Sequence, residues 1–316
     1  MRATSDWAAG RNAGGQAKRR ATWSGGWEAG AELMKLGVST LLFSSHHVVD
    51  AVHEIARLGH RRIELFCELA GLDVDTVEDA TIRRLAELAD EYGLDYSIHP
   101  PVVNTAAFDD DERAVVIHKY RATLALAERL GIRDMVIHSG HRPCVQVSAE
   151  QGRELARRTL RAVGETAGNV GVRLLLENTG WREHAILDTP GDLLELAESA
   201  CPPDTGILLD TGHAVLQHFG VVDCARIWLP HLAQVHAHDN AGEFDDHLPL
   251  GEGVIDWSSL IGLLAGAGWD GVFMLELGAC DDAPRRLADS LDLVARCADT
   301  RREMARSQMP TTRSDR

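Results

Sequence analysis

Six short apolar runs of this chain each end in a side chain that can bind a cation. SIH closes at His99, VIH at His138, LLLE at Glu177, LLD at Asp210 and MLE at Glu276, while VHAHD carries His236 first. The separations are 39, 39, 33, 26 and 40 residues, so the six recur at equivalent points of a repeating unit. Three carboxylates crowded together raise one another's pKa and destabilise a fold. A divalent cation removes that penalty. Three imidazoles and three carboxylates suit Zn, Mn, Co or Fe rather than Ca. One His or Glu at a strand end is ordinarily a satisfied rim residue. Recurrence in six consecutive runs asks for a shared cause, and a metal cluster supplies one.

The elements that would position these groups follow from periodicity. The strand candidates are LGVSTLLF, RRIELF, LDYSIH, DMVIH, RLLLE, GILLD, AQVHAH and VFMLE. Between and after them run amphipathic stretches such as VVDAVHEIARLG, TIRRLAELADEYG, WSSLIGLLAGAG and a segment around HAVLQHFG. Several helices are expected to stop at Gly, and Asp256 and Thr189 read as N-caps, with Pro190 at a first helical position. Fully apolar strands alternating with helices predict a parallel sheet covered by helices. Eight such units predict an α/β fold, a single-domain (β/α)8 TIM barrel over 34–305. All strand C-termini of such a barrel open on one face, where active sites form. A doubly wound sheet is disfavoured because no GxGxxG follows the first strand. Residues 1–33, with GRNAGGQAKRR, read as a disordered tail, and 306–316 as a flexible C-terminal tail.

Composition narrows the function. The chain has 316 residues, of which 45% are hydrophobic and 25% charged, as in ordinary globular proteins. Its net charge of −16 disfavours nucleic acid as a partner. No apolar run is long enough to cross a membrane, and no signal-peptide core follows the N-terminal charges. The six cysteines include no CxxC pair and read as scattered thiols of a reducing compartment, so a cytoplasmic location is expected.

LLLENTG, LLDTGH, VHAHDN, HLPLGEGVIDW and FMLEL, in that order, resemble the xylose-isomerase-like TIM barrels. That superfamily includes sugar phosphate isomerases and epimerases and the endonuclease IV type of abasic-site nuclease. The resemblance spans roughly residues 35–300. For isomerases and epimerases it implies one metal ion on Glu177, Asp210, His236 and Glu276. For endonuclease IV it implies further ions on His99, His138, His213, Asp245 and His247, and all of these positions are occupied here. The cofactor implied is a divalent metal (Mn, Zn, Co or Fe), with room for more than one ion per chain. Two loops depart from the nuclease pattern: CELAGLDVD is acidic, and PPVVNTAAFDDDE ends in four acidic residues. One stretch departs from the epimerases, since HAHDNAG lacks the Arg they often carry there.

The expected function is a divalent-metal-dependent sugar or sugar-phosphate isomerase or epimerase, transferring a proton at a carbon next to a carbonyl. Glu177 and Glu276 would remove and return the proton, and His213 would stabilise the oxyanion or bind a second metal. Arg142 in SGHRP, Trp181 after ENTG and His238 are candidate substrate contacts, although His238 reads first as a partner that orients a ligand or as a rim residue. The partner expected is a small carbohydrate-like molecule, and a homo-oligomer is compatible with the sequence. The alternative reaction is multinuclear metal phosphodiester hydrolysis of the endonuclease IV kind.

Overall fold

The computed structural model describes residues 34–180 and 182–307. The tail expected at 1–33, residues 308–316 of the other and Trp181 lie outside the described residues.

The strands are β1 (Lys35–Ser39), β2 (Arg62–Phe66), β3 (Asp95–His99), β4 (Asp134–His138), β5 (Arg173–Glu177), β6 (Gly206–Asp210), β7 (Leu232–Ala237) and β8 (Val272–Leu275). Each pairs in parallel with its sequence neighbours, and β1 pairs with β8, closing the barrel. The register brings the ends level: Phe66 lies opposite His99, His138 opposite Glu177, and Asp210 opposite His236.

Alternation along each strand explains why ligands cap apolar runs. Side chains two apart share a face of a strand. Val136, Leu175 and Leu208 form a small separate cluster, while Ile137, Leu176 and Leu209 belong to the large core between sheet and helices. The small cluster therefore fills the β4–β6 side of the barrel interior, while the buried Glu64, Ser97 and Gln234 occupy the other side. The next inward positions are His138, Glu177 and Asp210. The apolar side lies beneath Glu177 and Asp210, and the polar side beneath His99 and His236.

The outer layer comprises α1 (Val48–Arg57), α2 (Asp79–Tyr92), α3 (Asp110–Leu130), α4 (Ala149–Val170), α5 (Pro190–Ala200), α6 (Thr211–Leu216), α7 (Val221–Trp228), α8 (Trp257–Gly266) and α9 (Ala283–Ser307). As expected, α2 and α3 end on glycines in the left-handed region, Gly93 at φ 63° and Gly131 at φ 67°. Asp256 caps α8 by accepting from Ser259 N at 3.0 Å. Asp192 closes the first turn of α5 by accepting from the Thr189 backbone N–H at 3.0 Å. Among the described residues, no helix is long and apolar enough to cross a membrane.

Two expectations are corrected. LGVSTLLF is not one strand: β1 stops at Ser39, and Thr40–Phe43 form a 3-10 turn. Ser39 Oγ accepts the Leu41 N–H at 3.2 Å, and Thr40 Oγ1 accepts the Phe66 N–H at 2.9 Å. Local side-chain acceptors thus turn the chain over the barrel mouth. The segment around HAVLQHFG becomes the short α6, and VVDCARIW forms α7, which sequence reading did not separate. Its buried Val221, Cys224, Ala225 and Trp228 recur at helical spacing, and Trp228 Nε1 donates to Pro190 O at 2.8 Å.

Candidate metal centre

His236 stands at the middle of the site. Its Nδ1 lies 3.2 Å from Glu276 Oε2, 3.8 Å from Glu177 Oε1 and 4.0 Å from Asp210 Oδ2. All four side chains are buried. Nδ1 makes no aligned hydrogen bond within the protein, and neither does Glu177 Oε2. Buried polar atoms without partners are costly. Ligand atoms of Glu177, Asp210 and His236 lie within 4.8 Å of one another, and with these unpartnered atoms the residues fit a divalent ion.

The opposite edge of His236 is held by a residue that sequence reading missed. Its Nε2 is 2.9 Å from Oε1 of Glu64, on β2. Glu64 is fully buried, and its Oε2 accepts from Gln234 Nε2 at 2.7 Å and from Ser97 Oγ at 3.0 Å. A carboxylate behind a ligating imidazole orients the ring and raises its basicity. RIELF shows only a carboxylate inside an apolar run, which by itself marks no function; in the structure Glu64 lies two before Phe66, which lines the cavity, and so shares its inward face.

Two further groups adjoin this one. His99 Nδ1 meets the Pro100 carbonyl at 2.8 Å, and its Nε2 faces His138 Nε2 at 3.2 Å. Glu177 Oε2 lies 3.9 Å from the first and 3.5 Å from the second. On the other side, Asp245 Oδ2 is 3.1 Å from His213 Nε2 and 3.4 Å from His247 Nε2. Ligand atoms of His99, His138 and Glu177 lie within 4.8 Å of one another, and so do those of His238, Asp245 and His247. The structure thus gathers all nine expected ligand positions at one barrel mouth.

The electrostatics follow from crowding. Burial works against charge on His236, but the Glu276 and Glu64 carboxylates outweigh it and hold its pKa well above the ordinary value. Burial would raise Glu276, yet His236 draws it below the usual carboxylate range. Asp210 is likewise lowered by His213 and His238 against the effect of burial. His247 is raised to about 9 by Asp245 and Glu276, again against burial. His138 moves the other way: burial and the neighbouring His99 hold it well below its ordinary value. Without a cation, the carboxylates draw positive charge from imidazoles. A cation would take over that role and release the protons.

The site opens on a cavity of about 490 Å³. This is within the range of small-molecule pockets. Glu177, Glu276, His99, His138, His213 and His247 form its polar side. Leu41, Phe66, Val102 and Val103 come from the turn after β1, the end of β2 and the loop after β3, and form its apolar side. Two expected substrate contacts are placed elsewhere. Arg142 does not line the cavity; its guanidinium donates to Val147 O at 3.2 Å and to Glu183 O, bracing two loops. His141, the residue before it, lines the cavity instead. His238 is fully buried, with Nε2 3.0 Å from both oxygens of Asp210 and its ring stacked on His247 at 4.0 Å. It faces Asp210 and does not line the cavity.

Comparison with known proteins agrees with this architecture. The family model described as xylose isomerase-like TIM barrel matches residues 52–297. An uncharacterised protein of Methanocaldococcus jannaschii is 28% identical over 259 residues, covering 77% of this chain and 83% of the relative. A ketose 3-epimerase of Arthrobacter globiformis is 24% identical over 254 residues, covering 77% and 83%. The crystal structure of a D-tagatose 3-epimerase-like protein superposes with a TM-score of 0.72 at 27% identity, covering 83% of this chain and 99% of that one. An L-ribulose 3-epimerase structure has a TM-score of 0.69 at 20% identity, covering 89% and 99%, a likeness of fold alone.

Proposed function

This chain belongs to the xylose isomerase-like TIM barrel family, and from that premise we propose that it is a divalent-metal-dependent epimerase or isomerase of ketose sugars. The observation that carries the reading is that Glu177 and Glu276, three strands apart on the ring, both face the same cavity and the same His236 Nδ1. A ketose 3-epimerase among the relatives supports a reaction at the carbon beside the ketone.

A divalent ion held by Glu177, Asp210, His236 and Glu276 would supply Lewis-acid polarisation of a substrate carbonyl. The chain's own residues carry the proton. One of Glu177 and Glu276 takes it from the carbon beside the carbonyl, and the other returns a proton to that carbon. His213 Nδ1, 3.2 Å from Glu177 Oε1, offsets charge at that carboxylate as the proton moves. His247 Nδ1, 3.9 Å from Glu276 Oε2, does the same for the other. Leu41, Phe66, Val102 and Val103 pack against the C–H surface of the sugar and keep water away from the exchanging proton.

The test is isotope exchange. Protein stripped with chelator and reloaded with Mn²⁺, Co²⁺, Zn²⁺ or Fe²⁺ is incubated in D₂O with D-fructose, D-tagatose and L-ribulose. Cation-dependent deuterium incorporation beside the ketone, with formation of the epimer or isomer, is the expected result. No exchange with any ketose and any of these ions would contradict the reading.

A second reading rests on the two adjoining groups, His99 with His138 and Glu177, and His238 with Asp245 and His247. They support up to three ions and therefore metal-assisted phosphodiester hydrolysis. Three tightly bound ions per chain together with cleavage of abasic DNA would favour it over the epimerase.

A further inference from the structure

Asp239 follows the β7 ligand by three residues, is fully buried and has no part in the proton transfer outlined above. Its carboxylate accepts four hydrogen bonds. Oδ1 takes the N–H groups of Asn240 at 3.1 Å and Ile255 at 3.2 Å. Oδ2 takes Gly251 N at 3.0 Å and Trp257 Nε1 at 2.9 Å. Its backbone exchanges hydrogen bonds with Leu248, at 2.9 and 2.8 Å. A Cβ on Gly253 would come within 2.2 Å of Oδ1, so the chain packs directly on the carboxylate.

The segment so held, 241–256, has almost no core of its own: only Pro249 and Leu250 are buried. Yet it carries Asp245, Asp246 and His247 to the cavity. His247 stands at φ 47°, a left-handed conformation unfavourable for a residue with a Cβ. Something must over-determine that loop, and hydrophobic burial does not.

We propose that Asp239 is a positioning residue that folds the 241–256 segment over the barrel mouth and so aims Asp245 and His247 at the reacting centre. The consequence for turnover rests on the epimerase reading; the placement of the loop does not. The physical requirement is for acceptors. Four donors arrive two at each oxygen, and only a carboxylate accepts at both ends. An Asn of the same shape satisfies one pair and turns its NH₂ against the other.

The experiment uses the full-length protein and compares wild type, Asp239→Asn, Trp257→Phe and the double variant. Asp239→Asn is expected to speed amide hydrogen exchange across 241–256 while β4–β8 keep their protection. Affinity for the tightest-bound Mn²⁺ stays within about threefold of wild type, while kcat/KM on the best ketose falls at least about tenfold and up to roughly a hundredfold, as misplacement of catalytic groups does. Trp257→Phe removes one donor and shows a smaller effect in the same segment. In the double variant the NH₂ meets one donor fewer, so part of the loss is recovered. Exchange in 241–256 unchanged in both single variants, or accelerated equally in every strand, overturns the proposal. Should wild type turn over no ketose, the epimerase reading fails, while exchange and Mn²⁺ affinity still decide the placement.

Discussion

Glu177 faces four histidines of the centre. Oε1 faces His213 and His236, and Oε2 faces His99 and His138. On the proposed function, Glu177→Gln removes a base and a ligand together. It is expected to lower turnover by about 10²- to 10⁴-fold, with weaker cation binding, read by steady-state rates beside a chelator-competition titration. Glu64→Gln separates the two effects, because Glu64 lies behind His236 and does not line the cavity. Cation affinity should fall by about 10- to 100-fold, with kcat at saturating metal little changed; unchanged affinity would show that His236 needs no support. The six strand-end ligands were legible because they interrupt apolar runs at a regular interval. Glu64 was hidden because it sits mid-strand, where the period-two pattern marks a face but not a function. Arg142 misled because a cation near a site invites an anion, whereas loop carbonyls took its donors.

At the scale of elements, strands carry the chemistry and connections tune it. The barrel was legible because fully apolar strands alternate with amphipathic helices. Missed features were those decided by local hydrogen bonding: the turn at Thr40–Phe43 and the break between α6 and α7. The connection from α1 to β2, at the N-terminal end of the strand, carries a pH dependence separate from the site. Burial, aided by Arg61, pushes His60 down from 6.5 to about 4. As pH falls below 6.5 the unfolded chain binds this proton first, so stability present above that value is lost progressively toward pH 4. The loss attributable to this group is up to about 3 kcal/mol. His60→Asn should flatten the pH dependence of the urea midpoint in this window. A variant whose midpoint falls with acid as steeply as wild type would contradict the assignment.

At the scale of the whole molecule, fold and site are one construction. A closed ring with level strand ends gathers groups scattered from His99 to Glu276 at one mouth. The net charge of −16 and a mouth rich in carboxylates suit a cation and are adverse to a polyphosphate chain. Loop residues choose the substrate in such barrels, which is why the sequence led to the candidate ligands and not to a particular substrate. The most direct measurement is anomalous diffraction at the zinc edge from a crystal soaked in Zn²⁺ after chelator treatment. The expected result is a peak bounded by Glu177, Asp210, His236 Nδ1 and Glu276, at about 2.0–2.2 Å from each ligand atom. A soaked crystal with no peak there, or with zinc bound only at places that leave His236 Nδ1 free, would contradict it.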